Sequence, residues 1–268
     1  MRKRKILHVL LLALLILKLP TKALAAFDAP APDPLSFALA NLISFPDYLI
    51  LTDHEPGRWY LASGGARLFG MPEIQPFGIR FSGPGLDGRW QLMGDGLQSG
   101  TYSEMRSGLG YERLLSNSLR AGLEVYLLQV SIKGYGGAWS NQINARINWR
   151  PQPRLELAFS WINLTDARLG VDRYPLPRRI AIGGMFSPIS RAQLFLELEQ
   201  DARYALSPRF GIGFQLLDEI TLLLGMQSDP DIVSAGLSSL IGPIRASAAY
   251  QYHPDLGLSQ CYGIIIVF

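Results

Sequence analysis

Apolar and polar residues alternate along the chain from Gly57 to the C-terminus, in runs separated by Pro, Gly, Asn and Asp. In the range 143–149, every odd position is apolar, while Asn144, Arg146 and Asn148 take the even positions. Successive side chains of a β-strand point to opposite faces of its sheet. This period of two therefore predicts strands with one apolar and one polar face.

The alternating runs predict about fourteen strands. The predicted strands cover residues 58–70, 74–82, 86–95, 98–112, 118–133, 138–150, 153–163, 177–187, 190–200, 206–217, 219–228, 231–240, 243–253 and 258–268. The longer gap around residues 164–176 is predicted to be a surface loop.

Two architectures produce strands of this kind. In a soluble sandwich the apolar faces meet in a core, whereas in an outer-membrane barrel they face lipid and the polar faces line the interior. A tilted membrane strand needs ~9–11 residues, while globular strands cluster near five or six. The predicted strands are of the longer kind, and aromatic residues such as Trp59, Trp90 and Trp149 lie near their ends, as expected of interfacial girdles.

The last predicted strand alternates up to the final residue. Tyr262, Ile264, Ile266 and Phe268 share one face of it. This arrangement resembles the C-terminal insertion signal of Gram-negative outer-membrane barrels. We therefore predict an all-β fold, in which residues 57–268 form a transmembrane antiparallel up-and-down β-barrel of about fourteen strands.

The first 25 residues have the layout of a secretory signal peptide. A positively charged region at 2–5 is followed by an apolar stretch at 6–19, and Ala23 and Ala25 form a small-residue cleavage site. The apolar stretch is shorter than the ~20 residues that a spanning helix needs. We expect residues 1–25 to be removed, so that the mature chain starts at Ala26; an uncleaved signal anchor is the alternative.

Residues 26–56 differ from the rest of the chain because Pro interrupts a patchily apolar sequence. They are predicted to form an N-terminal plug or hatch-like segment, with a short helix within 35–45.

Removal of the leader reverses the net charge. The whole chain has a net charge of +3, but the leader holds six of its 25 Lys and Arg and none of its 22 Asp and Glu. The remaining 19 basic and 22 acidic residues give −3, so no nucleic-acid partner is expected. Beyond the leader, Lys133 is the single lysine in the sequence.

Several segments of the second half resemble the outer-membrane fatty-acid transporter (FadL-like) superfamily, and more closely its PorV-like branch. They are 176–184 (LPRRIAIGG), 210–214 (FGIGF), 232–237 (IVSAGL) and 249–252 (AYQY). The similarity covers about residues 110–268. It implies a barrel of about fourteen strands behind an N-terminal segment, and passage of a small solute.

No catalytic, metal or cofactor site is predicted. Beyond the leader the chain has two histidines, His54 and His253, and neither has the neighbours used by outer-membrane hydrolases. Two distant histidines and one Cys do not make a metal site. The Gly-rich stretches at 108–110, 134–137 and 211–213 are predicted to ease barrel curvature.

Charged residues on the polar faces are the candidate functional residues, because a closed barrel turns them toward its lumen. They form either a structural network that fills the lumen or a selectivity lining for a solute. The lumen-facing candidates are Arg120, Glu124, Arg146, Arg150, Arg154, Glu156, Arg179, Arg191, Glu197, Glu199, Arg209 and Arg245.

Two functions fit these observations. The first is passive transport or uptake of a small solute, hydrophobic or otherwise, through a porin-like barrel in the outer membrane of a Gram-negative bacterium. The second is a non-transporting structural or secretion-associated barrel that anchors partner proteins, for which the 164–176 loop is a candidate surface. Either requires outer-membrane lipid and the barrel-insertion machinery as partners.

Overall fold

The computed structural model describes residues 26–29, 32–45, 57–171 and 173–268. The predicted signal peptide at 1–25 and residues 30–31 and 46–56 of the predicted N-terminal segment lie outside the described residues. A short helix, α1 (Pro34–Ala38), and a 3-10 turn (Leu68–Gly70) accompany the strands. The strands are β1 (Tyr60–Arg67), β2 (Gln75–Gly85), β3 (Gly88–Ser99), β4 (Tyr102–Ser116), β5 (Leu119–Ile132), β6 (Gly136–Gln152), β7 (Leu155–Ile162), β8 (Arg168–Leu169), β9 (Tyr174–Pro175), β10 (Arg179–Ile189), β11 (Ala192–Asp201), β12 (Ser207–Leu217), β13 (Ile220–Gln227), β14 (Ile232–Ile241), β15 (Ile244–His253) and β16 (Gly257–Val267).

Fourteen of these strands close into one antiparallel barrel. β16 closes on β1 with a register that runs from Tyr60 opposite Val267 to Arg67 opposite Gln260. β7 pairs with β10, because β8 and β9 form a separate two-stranded hairpin in the connection between them. The predicted fold class and strand number are confirmed, and each predicted strand overlaps one strand of the barrel.

The alternating sequence separates an apolar outer face from a polar inner face. On β12, Arg209 and Gly211 are buried while Phe210 and Phe214 are exposed. The C-terminal strand β16, which lies between β1 and β15, follows the same rule. Its Tyr262 and Ile264 are exposed, whereas Cys261 is buried. Within the described ranges, no helix has the length and apolar character needed to cross a membrane.

The two ends of the barrel differ. At one end, Trp59 and Phe268 exchange two backbone hydrogen bonds of 2.9 Å, which tie the start of the barrel to the end of the chain. We call this the terminal end and the opposite one the loop end. The connection 163–178 at the loop end contains the β8–β9 hairpin, whose Leu169 is buried while Val171 at its tip is 99% exposed. The predicted surface loop is therefore partly a packed hairpin.

The described N-terminal residues 32–45 lie inside the barrel. Asp33 caps α1, because its carboxylate accepts the N–H groups of Leu35 and Ser36. The helix ends at Ala38, since Ala40 and Asn41 have φ values of 57° and 59°. L-residues in the left-handed region do not continue a right-handed helix, so the short helix predicted within 35–45 is limited to little more than one turn.

Candidate functional site

The N-terminal segment, residues 32–45, follows the inner wall of the barrel from β2 through β1 and β16 to β10. Its fully buried Phe37 and Phe45 form a core with Phe195 of β11, and the Phe45 and Phe195 rings meet edge to face at 5.7 Å. Apolar burial and aromatic packing of this kind are major stabilising contributions in protein interiors. The lumen of this barrel is thus filled on one side by the chain itself.

Glycines on the wall make room for this segment. A Cβ on Gly64 would lie 2.1 Å from the carbonyl oxygen of Pro32, and one on Gly236 would lie 2.5 Å from the Ala38 Cβ. The inward glycines whose added Cβ would meet the segment are Gly64, Gly78, Gly183, Gly211, Gly225, Gly236 and Gly263. Gly211 was predicted to ease barrel curvature, but its Cβ position lies 3.0 Å from Leu39, so close approach of the segment is a more direct reason for glycine there.

An ion pair on the wall binds the backbone of the segment. Glu197 and Arg209 are opposite each other in the β11–β12 register, which places both side chains on the inner face. Glu197 is completely buried and accepts the N–H groups of Ile43 and Ser44, at 3.1 and 2.7 Å from its Oε2. Arg209 donates to the carbonyl oxygen of Asn41, 2.5 Å away.

Neutral wall residues satisfy further backbone groups of the segment. Ser234 accepts from the Ala40 N–H and donates to the Ala38 carbonyl, at 3.1 and 2.8 Å. Gln251 donates to the Phe37 carbonyl oxygen at 2.6 Å. These bonds replace the strand or helix partners that the segment lacks, as buried backbone groups require.

A cavity of about 200 Å³ remains between the N-terminal segment and the wall formed by β2–β7. The segment contributes an apolar side with Leu35, Leu42 and Ile43, and Ile162 of β7 adds to it. The charged side chains that line the cavity are Asp33, Arg80, Asp95, Arg106, Glu124, Arg146 and Arg179. The cavity is therefore amphipathic, with an apolar side and a charged side.

The charged wall is only partly neutralised. Arg106 Nε lies 2.5 Å from Asp95, whereas Arg146 lies 3.5 Å from Glu124 and Arg179 lies 4.0 Å from Glu199. The Nε atoms of Arg146 and Arg179 are buried and have no hydrogen-bond partner. The wall thus retains donor capacity that faces the cavity.

Apolar residues pack together at the loop end of the lumen. Phe27 packs with Leu128 of β5 and with Leu169 and Leu176 of the β7–β10 connection. Asn163 organises the base of that connection, because its Oδ1 accepts the Ala167 N–H at 2.7 Å and its Nδ2 reaches two carbonyl oxygens at 3.4 Å.

A salt bridge holds the N-terminal residues at the same end. Arg203, in the β11–β12 connection, pairs with Asp28 at 2.5 Å and with Asp201 at 2.8 Å. Burial lowers the pKa of Arg203, but the hydrogen bonds that its guanidinium group donates to both carboxylates outweigh this effect and hold that pKa above its usual range.

The structure distributes the sequence-predicted candidates over three groups. Glu197, Glu199 and Arg209 form one buried cluster, in which Arg209 lies 2.6 Å from Glu199. Arg154 and Arg191 lie in the turns after β6 and β10 and are exposed. The remaining candidates lie on strands, with the pairs Arg120–Glu112, Arg146–Glu124, Arg150–Glu156 and Arg179–Glu199, and with Arg245 beside Ser238.

Sequence reasoning missed part of the cavity lining. Arg80, Asp95 and Arg106 lie among strands β2–β4, where Gly and Ser dilute the alternation. The alternation on β2 identifies Arg80 as an inner residue, because Phe77, Ile79 and Phe81 take the apolar positions of that strand. In the described part of the chain, no three His, Cys, Asp or Glu residues are placed to hold a metal ion.

Solved structures with this architecture were found by comparison of the whole fold. The Pseudomonas putida toluene transporter TodX has a TM-score of 0.63 and 11% identity, over 91% of this chain and 98% of that one. A Pseudomonas aeruginosa FadL homologue has a TM-score of 0.62 and 10% identity, over 91% and 99%. The CymD monoaromatic hydrocarbon channel has a TM-score of 0.61 and 10% identity, over 90% and 98%.

These structural neighbours share the fold of the chain. No family model and no curated protein sequence matches it.

Proposed function

We propose that this protein is an outer-membrane β-barrel for passive uptake of a small solute, with residues 26–56 as a plug in its lumen. The observation that carries the proposal is the amphipathic cavity of about 200 Å³ between the N-terminal segment and the β2–β7 wall. A cavity of that size holds a compact molecule of roughly a dozen non-hydrogen atoms, given ~10–15 Å³ for one water on the same measure.

The outer face supports a membrane location. Large apolar side chains such as Ile182, Leu198 and Leu237 are about half exposed around the barrel, and their strand neighbours on the inner face are polar or small. An apolar outer face of this kind is stable in contact with lipid. The closed barrel also leaves no unpaired strand edge exposed to the bilayer. The leader at 1–25 and the C-terminal alternation at 262–268 agree with export and with insertion by the barrel-insertion machinery.

The neighbouring structures suggest the chemistry of the solute. Two of them are a toluene transporter and a monoaromatic hydrocarbon channel. The apolar side of the cavity, with Leu35, Leu42 and Ile162, suits a small hydrophobic body of that class. At a finer level, the resemblance of residues 110–268 supports the PorV-like branch of the superfamily.

Uptake of radiolabelled toluene by a Gram-negative host that lacks hydrocarbon channels tests the proposal. We expect faster uptake with the protein than without it. Ile162→Trp fills the cavity and should return uptake to the level of the empty host, whereas Phe159→Trp on the outer face of the same strand should leave it unchanged. Both variants should be recovered as folded barrels in the outer-membrane fraction.

Two results would overturn the proposal. One is recovery of the mature protein in the soluble fraction without detergent. The other is a folded outer-membrane barrel that does not increase uptake, which would favour the non-transporting barrel that anchors partner proteins through 164–176.

A further inference from the structure

Glu104 is a buried carboxylate at the loop end of the lumen. It is 5% exposed, and it lies beside Phe27 and Tyr102. Its Oε2 accepts the N–H of Phe27 at 2.9 Å, and its Oε1 accepts the hydroxyl of Tyr102. Among the described residues, no cationic group forms an ion pair with it.

The two guanidinium groups of this region are committed to other carboxylates. The charge of Arg106, two residues along the same strand, acts on Glu104, but its guanidinium group binds Asp95 at 2.5 Å. Arg203 binds Asp28 and Asp201 at 2.5 and 2.8 Å. Within the described ranges, the groups in direct contact with the Glu104 carboxylate are therefore two neutral hydrogen-bond donors.

A buried carboxylate in this state is costly. Removal of an ionised group from water is compensated only when a counter-charge or several hydrogen bonds replace its hydration. Two hydrogen bonds satisfy part of that need, but they supply no net positive charge.

The residue before Phe27 can supply a cation for Glu104. The backbone nitrogen of Ala26 lies at most ~3.7 Å from that of Phe27, given standard bond lengths. Ala26 itself is half-buried and packs against the apolar cluster around Phe27. The Ala26 nitrogen therefore lies within ~7 Å of Glu104 Oε2. If the chain begins at Ala26, this nitrogen carries a positive charge.

We propose that Glu104 is a capture site for the α-ammonium group created at Ala26 when the leader is removed. Hydrolysis of the Ala25–Ala26 amide by a signal peptidase breaks the C–N bond and consumes one water. It leaves a carboxylate on Ala25 and an ammonium group on Ala26. The ion pair with Glu104 then holds Phe27 in the loop end of the lumen.

Export processing and the position of Phe27 in the loop end of the lumen are linked by this pair. In the precursor the same nitrogen is an uncharged amide, so it cannot neutralise Glu104. The inference rests on the leader removal that is part of the proposed function, but it does not depend on solute transport.

The scarcity of lysine makes a direct test possible. In a chain that starts at Ala26, the primary amines are the N-terminus and Lys133, which is exposed in the β5–β6 turn. The folded mature protein in detergent is treated with an acylating reagent, and the two modified peptides are quantified by mass spectrometry over time. Lys133 serves as the internal standard, and the urea-unfolded protein gives the unprotected rate of each amine.

We expect the N-terminus of the folded protein to react at least ten-fold more slowly than Lys133, relative to the unfolded rates, which corresponds to ~1.4 kcal/mol of protection. Glu104→Gln keeps the size and one acceptor of the side chain but removes its charge, so the N-terminus should become reactive. Asp218→Asn, at an exposed turn, should leave the protection unchanged. Folding of each variant is checked by its resistance to unfolding in SDS without heating.

Three results would overturn the inference. The intact mass of the mature protein could place its first residue elsewhere than Ala26, in which case the expected leader removal also fails. The N-terminus of the folded wild type could react as fast as Lys133. It could also stay protected in folded Glu104→Gln, which would assign the protection to burial instead of charge. The last two results leave the proposed transport function untouched.

Discussion

Glu197 and Arg209 face each other across neighbouring strands, with 3.2 Å between their charged atoms, and together they bind the N-terminal segment that lies in the lumen. The carboxylate accepts the backbone N–H groups of Ile43 and Ser44, and the guanidinium donates to the carbonyl of Asn41. One cross-strand pair thus connects the stability of the barrel wall with the position of the N-terminal segment.

Loss of the negative charge of Glu197 should weaken both the barrel wall and the binding of the N-terminal segment. Glu197→Gln leaves Arg209 with Glu199 alone and removes the charged acceptor of two backbone N–H groups. We expect the free energy of unfolding to fall by about 3 kcal/mol, the lower end of the cost of breaking a buried ion pair. A urea titration of the folded barrel measures it.

The matched control for Glu197→Gln is Asp218→Asn, because Asp218 forms an exposed pair with Arg191 at 3.0 Å. Exposed pairs contribute little to stability. Equal losses for the two variants would contradict the role given to Glu197.

Two adjacent glycines on β10 allow the contact with the N-terminal segment to be tested by itself. A Cβ on Gly183 would lie 2.7 Å from the Phe45 ring, whereas one on Gly184 would lie at an ordinary 3.7 Å from Leu157. Gly183→Val should therefore displace residues 41–45, at a cost of ~1–3 kcal/mol for overpacking.

Limited proteolysis of the folded barrel, followed by mass spectrometry, detects that displacement. We expect new cleavage within residues 41–45 for Gly183→Val and none for Gly184→Val. The same cleavage pattern in both variants would refute a specific contact at Gly183.

The outer face should tolerate small apolar residues but not a charge. Leu224 is on the exposed face of β13, between the buried Leu223 and Gly225. If this face meets lipid, Leu224→Arg should lower stability by ~2–4 kcal/mol near the bilayer midplane. Folding into lipid vesicles across a urea series measures the difference, with Leu224→Ala as the control. A neutral effect of Arg would argue against the membrane location.

Asn163 should control the packed hairpin at the loop end. It has a φ of 60°, and its side chain is fully buried against Ala167 and Leu176. Asn163→Gly keeps the left-handed backbone accessible but removes the side-chain bonds, so local opening should become easier by ~1–3 kcal/mol.

Hydrogen exchange is the measurement for Asn163→Gly. We expect faster exchange in residues 164–176 and unchanged exchange in β12. Asp166→Asn, at an exposed pair with Arg168, is the control. Faster exchange throughout the barrel would indicate global destabilisation instead.

Strand identity was accessible from the sequence because the alternation is local. On β12, the inner and outer positions can be assigned from the residue types alone, and Arg209 lies on the buried face while Phe210 lies on the exposed one. Arg154 and Arg191 follow the same parity, but they lie in turns, where the chain has left the wall and parity no longer assigns a face.

The sequence by itself determined a closed barrel of about fourteen two-faced strands. The alternation of apolar and polar residues, and the Pro, Gly, Asn and Asp residues that separate the runs, are properties of neighbouring residues. Only the tertiary structure decided how the lumen is occupied. The glycines that admit the N-terminal segment, the bonds from Glu197 to Ile43 and Ser44, and the pairing of Arg106 with Asp95 join residues far apart in the chain or on different strands. Such contacts depend on the register and curvature of the closed wall, which no local pattern of hydrophobic and polar residues encodes.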